Sequence, residues 1–384
     1  ADADGLSIAR RAGREAASRG DADAVGRGRG AARAGLHGVE QVNQKVKKIF
    51  VSGCAGLIGS HIARRFLDRG VEVVGADNLC GGYADNVDPR CQFWRIDCGD
   101  LDTLRRVMGK DVDVVYHTAC YPHEGLSPHA PWTVCHSVYD VTLSVVTAAI
   151  SNGVGRFINC SSMSRYGTNV KLPFTEDLTP MPVDPYGASK WHAEKIVDML
   201  CSIHGRTAVH AIPHNVTGPG ARYDDAYRGV CGIMMNRLLQ GKPAIIYGSG
   251  DQTRCVSFVK DAVDCLEKMA YDDNVAGRAI NIGPDDKDGE IITINELCER
   301  IQRVLGVDIP PIHVDPRPHE VRHAYCSSDL ARSLLGYKTT VTLDAGLREM
   351  AEWIKRRGPR PFTYHLPIEI QSDAVPKTWT QRMF

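Results

Sequence analysis

The sequence predicts an α/β protein, a doubly wound parallel sheet with a smaller C-terminal α/β lobe. Three observations carry that prediction. Short β-rich apolar runs alternate with helix-length amphipathic segments from Lys48 onward, a glycine triplet joins the first run to the first such segment, and beyond about residue 215 strands thin out while Pro and Gly become more frequent. Alternation of this kind sets parallel strands side by side with helices on both faces. In chain order the apolar runs predict strands at 48–52, 72–76, 91–96, 113–117, 156–160 and 207–212. Amphipathic spacing predicts helices at 58–68, 101–108, 134–152, 187–203, 228–240, 259–271, 294–304, 329–335 and 343–356.

The chain has 384 residues and 46 Lys+Arg against 46 Asp+Glu, a formal net charge of zero. That balance leaves no basic stripe for a phosphate backbone or an anionic membrane. No apolar run approaches the roughly 20 residues that span a bilayer. The 13 cysteines are scattered singly with no CxxC pair, the pattern of reduced thiols in a cytoplasmic protein. Among the 14 histidines, His117, His123, His129 and His136 form no metal-ligand spacing, so no metal is expected. Residues 1–45 are rich in Ala, Gly, Arg and Asp and contain no Met, Phe, Tyr or Trp. They read as a disordered leader, since such a segment has too little apolar surface to bury. Arg10-Arg11 lacks the apolar segment of an export signal. Val46-Lys47-Lys48-Ile49-Phe50 reads as the natural opening of the fold, with 1–45 a dispensable upstream addition.

Gly53-Cys54-Ala55-Gly56-Leu57-Ile58-Gly59 follows the first strand and opens the first helix. Glycines there allow a tight turn, close approach of backbone N–H groups to a pyrophosphate, and helix-on-strand packing, with the helix N-terminus facing the phosphates. Asp77 lies 18 positions past Gly59, at the end of the next strand, where a carboxylate accepts hydrogen bonds from an adenosine ribose. A carboxylate at that point repels a 2′-phosphate, which favours NAD over NADP. The bland alternative is an ordinary βα turn with a solvated Asp.

Tyr186-Gly187-Ala188-Ser189-Lys190 places Tyr and Lys four apart, on one helix face. A Lys ammonium beside a phenol, together with an oxidised nicotinamide, would lower its pKa from about 10 toward working pH. Ser162 stands 24 positions upstream, after a strand, where its hydroxyl can bond the same substrate oxygen.

Gly53-x-x-Gly56-x-x-Gly59, Asp77-Asn78, His117-Thr118-Ala119, Ser161-Ser162-x-x-x-Tyr166-Gly167 and Tyr186-x-x-x-Lys190 together resemble the extended short-chain dehydrogenase/reductase family, in its NDP-sugar epimerase/dehydratase branch, which includes UDP-glucose 4-epimerases. The likeness runs from about Val46 to about Arg357. It implies a Rossmann NAD-binding domain over 46–215, an interleaved substrate-binding lobe over 216–357, and a tail over 358–384 that wraps over the body or a partner subunit. It implies catalytic roles for Ser162, Tyr186 and Lys190. Gly53, Gly56, Leu57, Ile58, Gly59, Asp77, Asn78, Asp97, Cys98, Ala119, Cys120, Cys160 and Pro213, with Tyr186 and Lys190, would then line the NAD. Cys120 and Cys160 sit where relatives often carry Gly or Ala and read as packing residues. By the same resemblance Asn215, Arg254 and Arg317 bind the diphosphate and Glu320 the nucleotide ribose, while Ala324 borders the 2-substituent of the sugar. Relatives form homodimers through two-helix faces, here 134–152 with 187–203.

Family members that dehydrate a hexose follow the catalytic hydroxyl with an acidic pair, whereas this chain has Met163 and Ser164. Neither is an acid or base near neutral pH. The resemblance therefore implies NAD-dependent 4-epimerisation of an NDP-hexose, a UDP-glucose/galactose or N-acetyl pair, through a 4-keto intermediate. The alternatives are a dehydratase, with acid/base groups supplied by His123 and Glu124 in Tyr121-Pro122-His123-Glu124-Gly125, and a non-catalytic NAD sensor.

Overall fold

Three apolar residues in a row, Ile49, Phe50 and Val51, are fully buried in Lys48–Ser52 (β1), as expected of a strand covered on both faces. Five more strands follow in order: Glu72–Asp77 (β2), Gln92–Arg95 (β3), Val114–His117 (β4), Arg156–Cys160 (β5) and Thr207–Pro213 (β6). The remaining strands are two to four residues long: Val216–Thr217 (β7), Ile245–Tyr247 (β8), Thr253–Cys255 (β9), Ser257–Phe258 (β10), Ala279–Ile282 (β11), Ile291–Thr293 (β12), Ile312–Val314 (β13) and His323–Ala324 (β14). The helices are Leu57–Asp68 (α1), Leu101–Met108 (α2), Pro131–Ser151 (α3), Pro185–Ile203 (α4), Val230–Leu239 (α5), Val259–Met269 (α6), Ile294–Leu305 (α7), Asp329–Leu335 (α8), Leu343–Arg357 (α9) and Lys377–Thr380 (α10). This computed structural model describes residues 46–384 apart from 170, 288 and 319, so the expectation of a disordered leader over 1–45 lies outside the described residues.

Seven strands pair in the order β11-β6-β5-β4-β1-β2-β3, all parallel. The order reverses between β1 and β4, so the crevice beyond their carboxyl ends is where such a sheet takes its ligand. Alternation along β1 sends Ile49 and Val51 into a cluster with Ile62 and Phe66 of α1 and Val263 and Leu266 of α6. Phe50 goes to the other face, against Leu104 and Met108 of α2, Val145 of α3 and Val197 of α4. A third cluster, built from α5, α7 and α9, lies beside the short strands.

Most predicted boundaries hold within three residues, and the departures have local causes. Proline at the first position starts α3 and α4 earlier than expected, because its fixed φ suits a helix N-terminus. Tyr186 therefore lies in the first turn of α4, capped by Asp184, whose carboxylate accepts from Gly187 N at 2.8 Å. Eight strands after residue 213 replace the few expected there; runs this short carry no legible period. The expectation that no segment is apolar enough to span a bilayer is corrected by α3, 21 residues long with a mean hydropathy of 1.3 in its best window. Half of that window is buried, and α3 packs between α2 and α4 as a core helix.

Residues 358–384 wrap over the body itself. Leu366, Val375 and Trp379 join Leu126, Val134, Tyr186 and Tyr227 in one buried cluster. Glu369 caps α3 from outside, accepting from Trp132 N at 2.8 Å and Thr133 N at 2.9 Å, a carboxylate on the positive end of a helix that has no side-chain cap of its own. Trp379 is 3% exposed, so Trp379→Ala is expected to cost about 3–5 kcal/mol in urea unfolding with an unchanged slope.

Candidate active site

Every catalytic, cofactor and substrate residue named from the sequence lines one cleft of about 830 Å³ at the carboxyl ends of the strands, with Glu124 of the acid/base alternative, whereas His123 is buried outside that lining. Its first end is the turn from β1 into α1. Gly53 has a φ of +76°, and a Cβ on it would stand 2.8 Å from Ala119 N. A Cβ on Gly59 would stand 2.2 Å from Gly53 O, so helix, turn and the exit of β4 touch backbone to backbone. Gly56 differs: its Cβ would meet no protein atom nearer than Gly53 O at 3.3 Å, and it borders the cleft. Leu57 and Ile58 lie in the first turn of α1, where no helical carbonyl can take the N–H groups. A backbone cradle with free donors and no side chain at Gly56 fits a dinucleotide pyrophosphate.

Asp77 stands at the end of β2 as expected, but it is buried rather than solvated. Its Oδ2 accepts from Ala55 N at 3.0 Å and its Oδ1 from Leu79 N at 2.7 Å, so it braces the glycine turn while facing the cleft. Burial, only partly offset by these two bonds, pushes its carboxyl above the usual range. Asn78 Nδ2 donates to Asp97 Oδ2 at 3.2 Å, joining two more expected cofactor contacts, and Cys98 is buried beside them.

The middle of the cleft holds Tyr186, Lys190 and Ser162. Lys190 is 4% exposed, and its Nζ donates to Cys160 O at 2.8 Å. The same ammonium lies 5.9 Å from the centroid of the Tyr186 ring. Burial pushes Tyr186 well above its ordinary pKa, opposed by the Ser162 hydroxyl and the charge of Arg228. Burial also pushes the Cys160 thiol up to about 12, which agrees with a packing role and not a nucleophile.

Around these residues the polar groups are tightly connected. Ser162 Oγ donates to Ser164 Oγ at 3.2 Å, and Ser164 Oγ donates to Glu124 Oε2 at 3.1 Å. Ser161 donates to Glu194, whose other oxygen accepts from Arg165 Nη1 at 2.5 Å. Asp184, buried and close to Glu124, has its carboxyl pushed up to about 6. His117 is a core residue between Ser52 and Thr142, driven down to about 3 by burial.

The far end carries the arginines. Arg317 Nη2 donates to Glu320 Oε1 at 2.7 Å, and Arg254 Nη2 reaches the same oxygen at 3.4 Å. Glu320, expected at a ribose, is thus the shared counter-charge that holds two guanidinium groups together. Arg317 also stacks 5.0 Å from the Tyr247 ring centroid. Asn215 takes a φ of +48° and donates through Nδ2 to Cys255 O at 2.9 Å, which fixes it in the wall. Ala324 borders the cleft nearby.

Sequence reasoning missed Arg228 and Tyr247, which have no motif around them, and Trp379 and Phe384, which the tail folds back into the wall. The expectation of no metal cluster rested on local spacing. The fold brings His123, Asp225 and His365 together from three separate segments, with potential ligand atoms within 4.8 Å of one another. In the structure His123 Nε2 is 2.9 Å from Asp225 Oδ2, and burial holds both imidazoles below their ordinary pKa.

Residues 49–283 match the model of the NAD dependent epimerase/dehydratase family. A putative UDP-glucose 4-epimerase of Methanocaldococcus jannaschii is 30% identical over 315 residues, 80% of this chain and 98% of that protein. The UDP-glucose 4-epimerase of Thermotoga maritima, solved with UDP-glucose, superposes with a TM-score of 0.75 at 28% identity, covering 81% of this chain and 99% of that one. The UDP-glucuronic acid 4-epimerase of Bacillus cereus, solved with UDP-glucuronic acid and NAD, gives 0.74 at 28% identity over 81% and 99%. The family match over residues 49–283 and the relative 30% identical over nearly its whole length show that the chain belongs to the NAD dependent epimerase/dehydratase family.

Proposed function

We propose that this protein interconverts the C4 epimers of a nucleotide-diphosphate hexose, of the UDP-glucose/UDP-galactose type or its N-acetyl form. The observation that carries the reading is the layout of one cleft: glycine cradle, then Tyr186 with Ser162, then Arg254 and Arg317. The residues after Ser162 are Met163 and Ser164, which provide no acidic pair for elimination.

The glycine cradle with Asp77, Asn78 and Asp97 would hold NAD, which when bound takes a hydride from the sugar C4 and gives it back. Tyr186 takes the proton of the 4-hydroxyl as the carbonyl forms and returns it as the carbonyl is reduced. Ser162 hydrogen-bonds the same oxygen. Burial pushes the Tyr186 phenol above its ordinary value, opposed by the Ser162 hydroxyl and the charge of Arg228. Arg254, Arg317 and Asn215 hold the diphosphate while the keto-sugar turns over about that linkage; the forked guanidinium groups match phosphate oxygens. The reading keeps residues 46–215 as the cofactor portion and 216–357 as the substrate portion. A homodimer is supported by α3 and α4 lying side by side with Trp132, Met199 and Ile203 exposed. Thirteen cysteines scattered singly along the chain, with no CxxC pair, support a cytoplasmic setting.

Incubation with UDP-glucose, UDP-GlcNAc and their galacto isomers, followed by separation of the products, is expected to give epimer pairs of unchanged mass; loss of one water would sink the reading. Tyr186→Phe is expected to lower kcat by roughly 10²–10⁴-fold while the purified protein keeps its NAD. Gly59→Ala, whose Cβ would fall 2.2 Å from Gly53 O, is expected to yield protein depleted of NAD by chromatography of the released nucleotide.

A further inference from the structure

Glu124 leaves the loop after β4 and enters the cleft between its catalytic and arginine ends. Its Oε2 accepts from Ser164 Oγ at 3.1 Å, and Ser164 Oγ in turn accepts from Ser162 Oγ at 3.2 Å. Its charge is felt by Asp184, Tyr186, Arg254 and Arg317 alike. The next residue, Gly125, is where the loop passes Arg317 so closely that a Cβ would lie 2.9 Å from Nη1. Glu124 is therefore bounded by the hydroxyls beside Tyr186 on one side and by the arginine pair on the other.

The side chain is exposed to the cleft, and among the described residues it forms no ion pair. The two nearby arginines are turned to Glu320 instead. An open carboxylate accepts hydrogen bonds and offers none. Brought against a second carboxylate within a few ångströms, it repels it strongly, because the walls of a cleft screen charge far less than water does.

We propose that Glu124 is the sugar-binding residue that sets the substrate class: NDP-hexoses presenting hydroxyl, amide N–H or ammonium donors are accepted, and NDP-uronic acids are rejected. The inference rests on the epimerase reading above, in which the pyranose lies between Tyr186 and the arginines. It also separates this chain from the relative solved with UDP-glucuronic acid.

The test measures kcat/KM and calorimetric affinity of the NAD-loaded enzyme for UDP-glucose and UDP-glucuronic acid, in wild type and in Glu124→Gln. Wild type is expected to favour UDP-glucose at least 100-fold in both quantities, and Glu124→Gln to shrink that preference at least tenfold. Ser164→Ala, which keeps the carboxylate, is expected to retain the preference. Wild type handling both sugars alike, or a preference that Glu124→Gln leaves unmoved, overturns the inference while epimerisation itself stands. A preference seen in binding without turnover of UDP-glucose, UDP-GlcNAc or their galacto isomers supports the subsite and overturns the epimerase reading instead. Release of water from the sugar, or failure of UDP-glucose, UDP-GlcNAc and UDP-glucuronic acid alike to bind, overturns the two together.

Discussion

The bond from the Lys190 ammonium to the carbonyl of Cys160 is the contact on which the catalytic end depends. A buried ammonium without a partner is costly, and so is a carbonyl left bare at the end of a strand; each answers the other. Because Cys160 closes β5 and Lys190 sits one turn into α4, the bond ties helix to strand at the point where the chain bends into Ser161-Ser162. Tyr186, one turn earlier on the same helix, is thereby held over the same bend. Glu194, one turn later, extends the seam by taking Ser161 on one oxygen and Arg165 on the other. Three successive turns of α4 thus grip the same bend.

This arrangement sets the electrostatic layout of the cleft. Helix α1 offers uncompensated N–H donors at one end, and two guanidinium groups offer full charge at the other. Anions are welcome at both ends for different reasons, one through a backbone field and one through side chains. Between them the middle pairs the Lys190 ammonium, bonded to its carbonyl, and the charge of Arg228 with the carboxylates Asp184 and Glu124. A ligand with phosphates at its ends and a neutral portion in between matches that sequence of fields. Glu320 keeps Arg254 and Arg317 adjacent in the absence of any anion, so the site needs little rearrangement to receive one.

Much of this was legible in the sequence because the relevant signals are local. β1 reads as a strand through three consecutive apolar residues, and Gly53, Gly59, Tyr186 and Lys190 announce themselves by spacing. What was not legible depends on partners far away in the chain. Nothing near Lys190 says that its ammonium will donate to Cys160 O, or that Tyr186 will be buried deeply enough for its phenol to be pushed up. Glu320 reads as a ribose ligand until Arg254, 66 residues earlier, is seen to share it. The strands after β6 are too short for a period of two to show, and α3, apolar enough for a membrane by composition, is recognisable as a core helix only once α2 and α4 flank it.

The tail places a condition on when the cleft can exist. Trp379 packs close to Gly125 and against His129, and its cluster includes Tyr186, so one wall of the catalytic centre is contributed by residues more than 250 positions downstream of the loop they cover. On a ribosome advancing at about 5–20 residues per second, that loop emerges on the order of ten to fifty seconds before Trp379 does. Throughout that interval the apolar face of Leu126, and from their own synthesis those of Val134 and Tyr227, have no tail to rest on. The order of synthesis therefore makes closure of the catalytic wall a late event in the life of each new molecule, and leaves the nascent sheet open to other apolar company until it happens.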